Sequence, residues 1–380
     1  MEVAVISIMM PAYNAEKYIG EAIESVLAQS YPHWELIIVN DGSTDKTASI
    51  IAQFTDPRIK VVHQLNSGEA AARNTALKHM RGEYLAFLDA DDLYLPGHLE
   101  ITVSYLSSYS PTGGVYTDGY YCDQNGILLQ PLSSRRRGPF EGRIFEEVLR
   151  SSDVFGPPIC VVLRRSIILQ YQLDFDPKLI IGPDWDFLTR YSDLAQFGYI
   201  DKSTCLYRVH ETNISLCVNV DKRAEHMARC REKAIKMENF KVCSVETRTF
   251  VFYDLLINLL HNNFNKQSEV IKWQEFRELP KTIRARLLRL MSSKAILEGG
   301  GKAYIWEWIS NSRKLNPSDI RSALLITLYF VNPKLCQRIL RFRTINQAPG
   351  LHTDPFHDLH KIHFNNYENC NLSRPAKWWG

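Results

Sequence analysis

The chain has 380 residues, more than the roughly 250–300 at which a single hydrophobic core stops growing, so one full domain and an appended unit are expected. Hydrophobic residues make up 45% and charged residues 23%, which places it in the globular class and outside the disordered one. A net charge of +3 is too small to make nucleic acid the main partner.

From residue 3 to about 105, short β-rich runs alternate with helical patterns, the signature of a sheet built from βαβ units, and predict strands over 3–9, 34–40, 58–63 and 83–88. The first run follows no basic leader and reads as the opening strand of a domain. Across 16–29, Ile19, Ala22, Ile23 and Val26 recur at helical spacing while Lys17, Glu21 and Glu24 take the opposite face. Asp45 can cap a helix over 46–54, and Ser67-Gly68 precede one over 69–80. After 112 the pattern turns to hairpin-like strands around Gln124-Asn125-Gly126, then a loop holding Arg135, Arg136 and Arg137. A strand near 159–163, a helix from 184 to about 196 and a strand near 205–209 complete a first domain over 1–217. Residues 218–343 read as a mostly helical region and 344–380 as a tail. Eight cysteines without a CxxC pair suggest neither a disulfide framework nor a zinc site and fit a reducing cytoplasm. The longest apolar run, 323–331 interrupted by Thr327, is well short of the ~20 residues that span a bilayer.

Ligands of such sheets bind beyond the carboxyl ends of the strands, and the polar residues gather there. The second predicted strand runs into Asn40-Asp41-Gly42-Ser43-Thr44-Asp45, where a carboxylate and a glycine suit the close approach of a nucleotide base; the same residues also read as an Asx-turn followed by a helix cap. The fourth delivers Asp89-Ala90-Asp91-Asp92, three mutually repelling acids beside a buried strand. A hard divalent cation, magnesium or manganese, would relieve that repulsion, with diphosphate oxygens completing its shell.

These residues carry a resemblance. Pro11-Ala12-Tyr13-Asn14, the run 25–31, Asn40 to Asp45, Ala72-Arg73-Asn74 and Phe87 to Asp92 are together similar to the donor-binding half of family 2 glycosyltransferases, which have the α/β, Rossmann-like GT-A fold. The resemblance implies base and ribose contacts near Pro11, Tyr13 and Asp41, donor contacts from the neighbouring Ala12 and Asn14, and pyrophosphate contact near Arg73. It implies donor and metal contacts around Asp89, Ala90 and Asp91, with Asp91 as the direct metal ligand. Ala76 departs from it where many relatives carry glycine. Further on, 182–190 resembles the family's acidic segment, whose aspartate is the general base; that makes Asp184 the catalytic candidate, although Pro183 stands where relatives usually have glutamate. Asp184 with Trp185 and Leu188 also reads as an ordinary helix cap above a buried face. The run 207–215 is similar to the segment that closes over the donor, offering His210 as a metal ligand and Arg208 to neutralise diphosphate. The half after 112 is expected to hold the acceptor, with Asp118 and Trp185 as candidate contacts.

The implied activity is transfer of a sugar, with inversion, from a nucleotide-diphosphate donor, a UDP-sugar first, to a hydroxyl of a saccharide or lipid-linked glycan. A nucleotide-sugar-binding protein without turnover and a nucleotidyltransferase are the alternatives; the lack of a glycine-rich, lysine-bearing phosphate loop after the first strand argues against the second. In the helical region, Arg284, Arg286 and Arg289 among leucines, and later Arg338, Arg341 and Arg343, leave two readings: a subdomain packed on the catalytic unit, or peripheral contact with the inner face of the cell membrane. His352, His357, His360 and His363 in the tail share a spacing that could bind a metal, but Pro349, Gly350 and Pro355 disfavour the helix this needs.

Overall fold

In the computed structural model, which describes residues 5–346 except 212, 214–217 and 263, the apolar runs become the centre of a nine-stranded mixed sheet. Strands β1 (Ile6–Ala12), β2 (Trp34–Asp41), β3 (Ile59–Gln64) and β4 (Tyr84–Phe87) pair in parallel in the order β3-β2-β1-β4. All eight residues of β2 are buried, the pattern of a strand covered on both faces. Pro11 lies past the last β1–β4 register pair, Met9 with Phe87, so its missing N–H removes no ladder bond. The sheet continues through strands that reverse direction: β5 (Leu93–Tyr94), β6 (Thr112–Cys122), β7 (Leu128–Pro131), β8 (Val161–Arg164) and β9 (Gln196–Arg208), in the order β4-β8-β6-β9-β5 with β7 on β6.

Helices α1 (Ile19–Leu27), α2 (Thr47–Ile51), α3 (Glu69–His79) and α4 (His98–Ser108) connect the early strands, followed by α5 (Phe145–Arg150), α6 (Arg165–Gln170) and α7 (Pro183–Leu194). The periodicity of α1 holds, since Ile19, Ala22, Ile23 and Val26 are its buried residues together with Ser25. Helix α3 buries Ala70, Ala72 and Ala76 against β1 and β2, and alanine at 76 fits that interface with no exposure. Strand β9 begins at Gln196 and not near 205, because its first half carries Asp201 and Lys202 on an exposed stretch that hides the apolar alternation.

The chain divides into two units, with the break between Cys217 and Val218. The second is helical throughout its described residues: α8 (Val220–Ile235), α9 (Val245–Asn262), α10 (Phe264–Val270), α11 (Gln274–Arg277), α12 (Lys281–Glu298), α13 (Lys302–Leu315), α14 (Ile320–Val331) and α15 (Pro333–Asn346). Phe252, Leu255, Leu256, Leu288, Met291 and Trp308 form part of its core, and Arg231 of α8 pairs with Asp254 of α9 at 2.6 Å. The tail histidines lie outside the described residues. No described helix is long and apolar enough to cross a membrane.

Candidate active site

The parallel strands bring Pro11–Asn14, Asp41, the 64–68 loop and Asp89–Asp92 to one edge of the sheet, beyond their carboxyl ends. Two loops there lock together through side chains. Asn14, at φ 47°, accepts from the Thr44 amide at 2.8 Å and donates its own amide to Ser43 Oγ, while the Glu16 amide donates to Asp45. Asparagine tolerates that left-handed conformation better than most residues. Gly42, at φ 72°, has no alternative, because a Cβ there would sit 2.7 Å from the backbone nitrogen of Asn66. The buried Asp41 carboxylate accepts from Gln64 Nε2 at 2.6 Å and from the Ser67 and Gly68 amides at 2.9 and 2.8 Å. Three of its roughly four lone-pair positions thus hold the loop into α3, leaving one for a ligand N–H. Tyr13 stands 53% exposed above this edge, an open aromatic face. Ala12 and Ala90 are buried beneath it, while Pro11 is partly open.

Each of the three repelling acids finds its own answer in the protein. Asp89 pairs with Arg73 Nη2 at 2.8 Å, and Glu69, one turn earlier on α3, reaches the same nitrogen at 2.8 Å. Asp91 Oδ2 lies 2.9 Å from His210 Nε2. Asp92 is buried, accepts the Arg208 amide at 2.8 Å, and is pushed well above the usual carboxylate range first by burial and then by Asp91 and Asp89, which favours its neutral form. Burial also raises Asp89, against the pull of Arg73. Glu69 is pushed up to about 7, mainly by burial, with Arg73 opposing and Asp89, Asp184 and Asp91 adding to the rise. Asp184 lies near enough to Asp89 and Glu69 for its charge to help raise both.

Asp184 sits in the first turn of α7, after Gly182 at φ 72° and with Pro183 at the helix start, where a proline sacrifices no hydrogen bond. Among the described residues it has no ion-pair partner, whereas Asp186 is bound to Arg190 at 2.7 Å.

Several expectations need correction. Arg208 is 1% exposed; its Nε donates to the Asp91 carbonyl, Nη1 to the Gln124 carbonyl and Nη2 to Glu21, above the Tyr18 ring at 4.7 Å. It is turned to protein, not to a diphosphate, and fixes the acidic turn. Arg73 is equally buried, between Asp89, Glu69 and the rings of Phe87 and Phe175, and its Nη2 holds both carboxylates. Trp185 is buried and donates Nε1–H to the Val148 carbonyl at 2.9 Å, which fastens α7 to α5. Asp118 is buried and accepts the Ser133 amide at 3.0 Å, which holds the hairpin loop. Both side chains are turned into the protein. Of the expected metal trio, Asp91 and His210 meet while Asp89 is held by Arg73, and no group of three ligating side chains is gathered among the described residues. Glu69 escaped sequence reasoning, although its spacing of four from Arg73 on a helix was a readable signal.

Residues 7–171 match the profile described as Glycosyl transferase family 2. An uncharacterised glycosyltransferase of Rickettsia typhi is 31% identical over 218 residues, covering 56% of this chain and 67% of that protein. The UDP-Glc:alpha-D-GlcNAc-diphosphoundecaprenol beta-1,3-glucosyltransferase WfgD of Escherichia coli is 45% identical over 105 residues, 27% of this chain and 42% of WfgD. Other curated relatives are matched over less of their length: the chain spans 33% of an uncharacterised glycosyltransferase of Rickettsia conorii and 29% of one from Rickettsia bellii. Among solved structures, S. aureus TarS 1–349 in complex with UDP-GlcNAc aligns with a TM-score of 0.55 at 20% identity, covering 82% of this chain and 90% of that one. That likeness is one of fold, and the α/β GT-A architecture with a helical C-terminal region expected from the sequence is the one found. The chain belongs to glycosyl transferase family 2.

Proposed function

We propose that this protein is an inverting, divalent-metal-dependent glycosyltransferase that moves a sugar from a UDP-sugar to a hydroxyl of a saccharide or lipid-linked glycan. The observation that carries the reading is the acidic turn Asp89–Asp92 after β4, where Asp89 shares Arg73 with Glu69 and Asp91 meets His210, with the charge of Asp184 acting on Asp89 and Glu69. The relative WfgD, a glucosyltransferase that takes UDP-glucose and an undecaprenol-linked acceptor, supports the choice of donor and acceptor class.

Tyr13 offers a stacking face for the base, and the remaining lone pair of Asp41 accepts a ring N–H. Asp184 accepts the acceptor's proton as the hydroxyl oxygen bonds to the anomeric carbon, the bond from that carbon to the diphosphate oxygen breaks on the opposite face, and the configuration inverts. Asp91 and His210 offer an oxygen and an imidazole nitrogen, a donor set that fits magnesium or manganese with phosphate oxygens filling the remaining positions. Such an ion supplies positive charge to the departing diphosphate. The paired Arg73 and Arg208 hold the acids in place, so that the site needs little rearrangement.

The test is UDP release from a panel of UDP-sugars with manganese, magnesium or EDTA, beside Asp91→Ala. Metal-dependent release that disappears in the variant supports the reading. Binding of UDP without release from any donor and acceptor points to a non-catalytic binder, and release of pyrophosphate to a nucleotidyltransferase.

A further inference from the structure

Large apolar side chains left open to solvent concentrate near the end of the helical unit. On α14, Ile320, Leu324 and Val331 follow one another at helical spacing on a stripe opposite the buried Ser322, Leu325 and Tyr329, and Ile320 and Val331 are 72% and 79% exposed. On α15 the exposed Lys334, Arg338 and Arg341 share a stripe, flanked by exposed Leu335 and Phe342 at 69%, while Cys336 is buried on the other side. A basic row thus stands beside apolar residues that no described residue covers.

The charge of this segment is one-sided. Between residues 308 and 342 the sequence has six Lys or Arg and a single acid, Asp319, which is occupied in pairing with Arg289 at 2.9 Å and capping α14. A symmetric dimer through this face would press like charges together. Nucleic acid would answer the basic row and leave the leucine, isoleucine and valine stripe in water. An anionic lipid surface answers both: acyl chains near the headgroup boundary take the apolar stripe, and headgroup phosphates take the basic one. The stripe on α14 is about 16 Å long at 1.5 Å per residue, so the helix can lie on a bilayer but not cross it.

We infer that α14 and α15 form a docking surface for membranes rich in anionic lipid. The inference rests on the helical unit and not on the identity of the sugar. It would hold the protein at the surface where a lipid-linked acceptor resides.

The experiment is co-sedimentation of the full chain with vesicles of phosphatidylglycerol and phosphatidylcholine, against phosphatidylcholine alone. It is repeated with Leu324→Glu, with Arg338→Gln plus Arg341→Gln, and with light scattering for oligomeric state. Both variants alter exposed positions, and unchanged circular dichroism confirms that each folds. Binding confined to the anionic vesicles, weakened by salt, reduced about fivefold for each arginine removed and lost with Leu324→Glu bears the proposal out. Failure of the wild-type chain to bind, equal binding to neutral vesicles, binding indifferent to both variants, or a dimer that Leu324→Glu dissociates overturns it.

Discussion

At the scale of single residues, the site distributes its acids by partner. Asp186 is paired with Arg190 and Asp89 with Arg73, Asp91 lies 2.9 Å from His210, and Asp184 has no ion-pair partner among the described residues. A carboxylate in that position is suited to accept a proton. Asp184→Asn should therefore lower turnover by about 10²–10⁴-fold while leaving the dissociation constant for UDP nearly unchanged, and a variant that keeps its rate would remove the assigned role. Glu69 supplies a pH test. Its folded-state pKa is raised from 4.5 to about 7, so the folded protein binds this proton more tightly than the unfolded chain does. The resulting stabilisation is full below 4.5 and is lost as pH rises through about 7. Urea midpoints of Glu69→Gln and wild type, compared at about pH 5 and about pH 8, should thus shift in the variant's favour at the higher pH. Residue type was legible in the sequence, but direction was not: Arg208, Trp185 and Asp118 have suitable chemistry and point into protein.

Elements were legible where a strong period or a continuous apolar run specified them. The four parallel strands begin within three residues of their expected starts: β1, β2 and β4 are buried on both faces and leave an unbroken apolar trace, while the edge strand β3 is marked by its β-branched residues. The two-residue β5 and the polar first half of β9 leave none, since β5 is placed by pairing with Cys205 and Leu206 late in β9, and the first half of β9 by pairing with β6. That pairing gives Arg208 its importance. It ends β9 and bonds to the carbonyls of Asp91 and Gln124 and to Glu21, so that one side chain ties the last strand of the sheet to the acidic turn and to α1. Arg208→Met keeps the bulk and removes those donors, leaving two carbonyls to find new partners. A loss of about 3 kcal/mol is expected in urea denaturation, together with a weakened response of UDP release to manganese as Asp91 loses its support. Unchanged stability would mean that the buried guanidinium is a passive filler.

For the molecule as a whole, donor binding and folding are linked through residues 5–217, because Asp41 joins β2 to the 64–68 loop and the acidic turn joins β4 to β9. A ligand that occupies the folded site and not the unfolded chain stabilises the fold by about 2.7 kcal/mol at a concentration one hundred times its dissociation constant. For a unit of this size each kcal/mol raises the melting temperature by about 2–4 °C. UDP with manganese should thus raise the transition that reports the sheet by about 5–10 °C, with UDP alone giving less. Asp91→Ala should erase the part of the shift that depends on manganese, since it removes one of the two side chains assigned to the ion. Full retention of that part in the variant would reassign the metal to other ligands and would leave Asp91 as a partner of His210 alone.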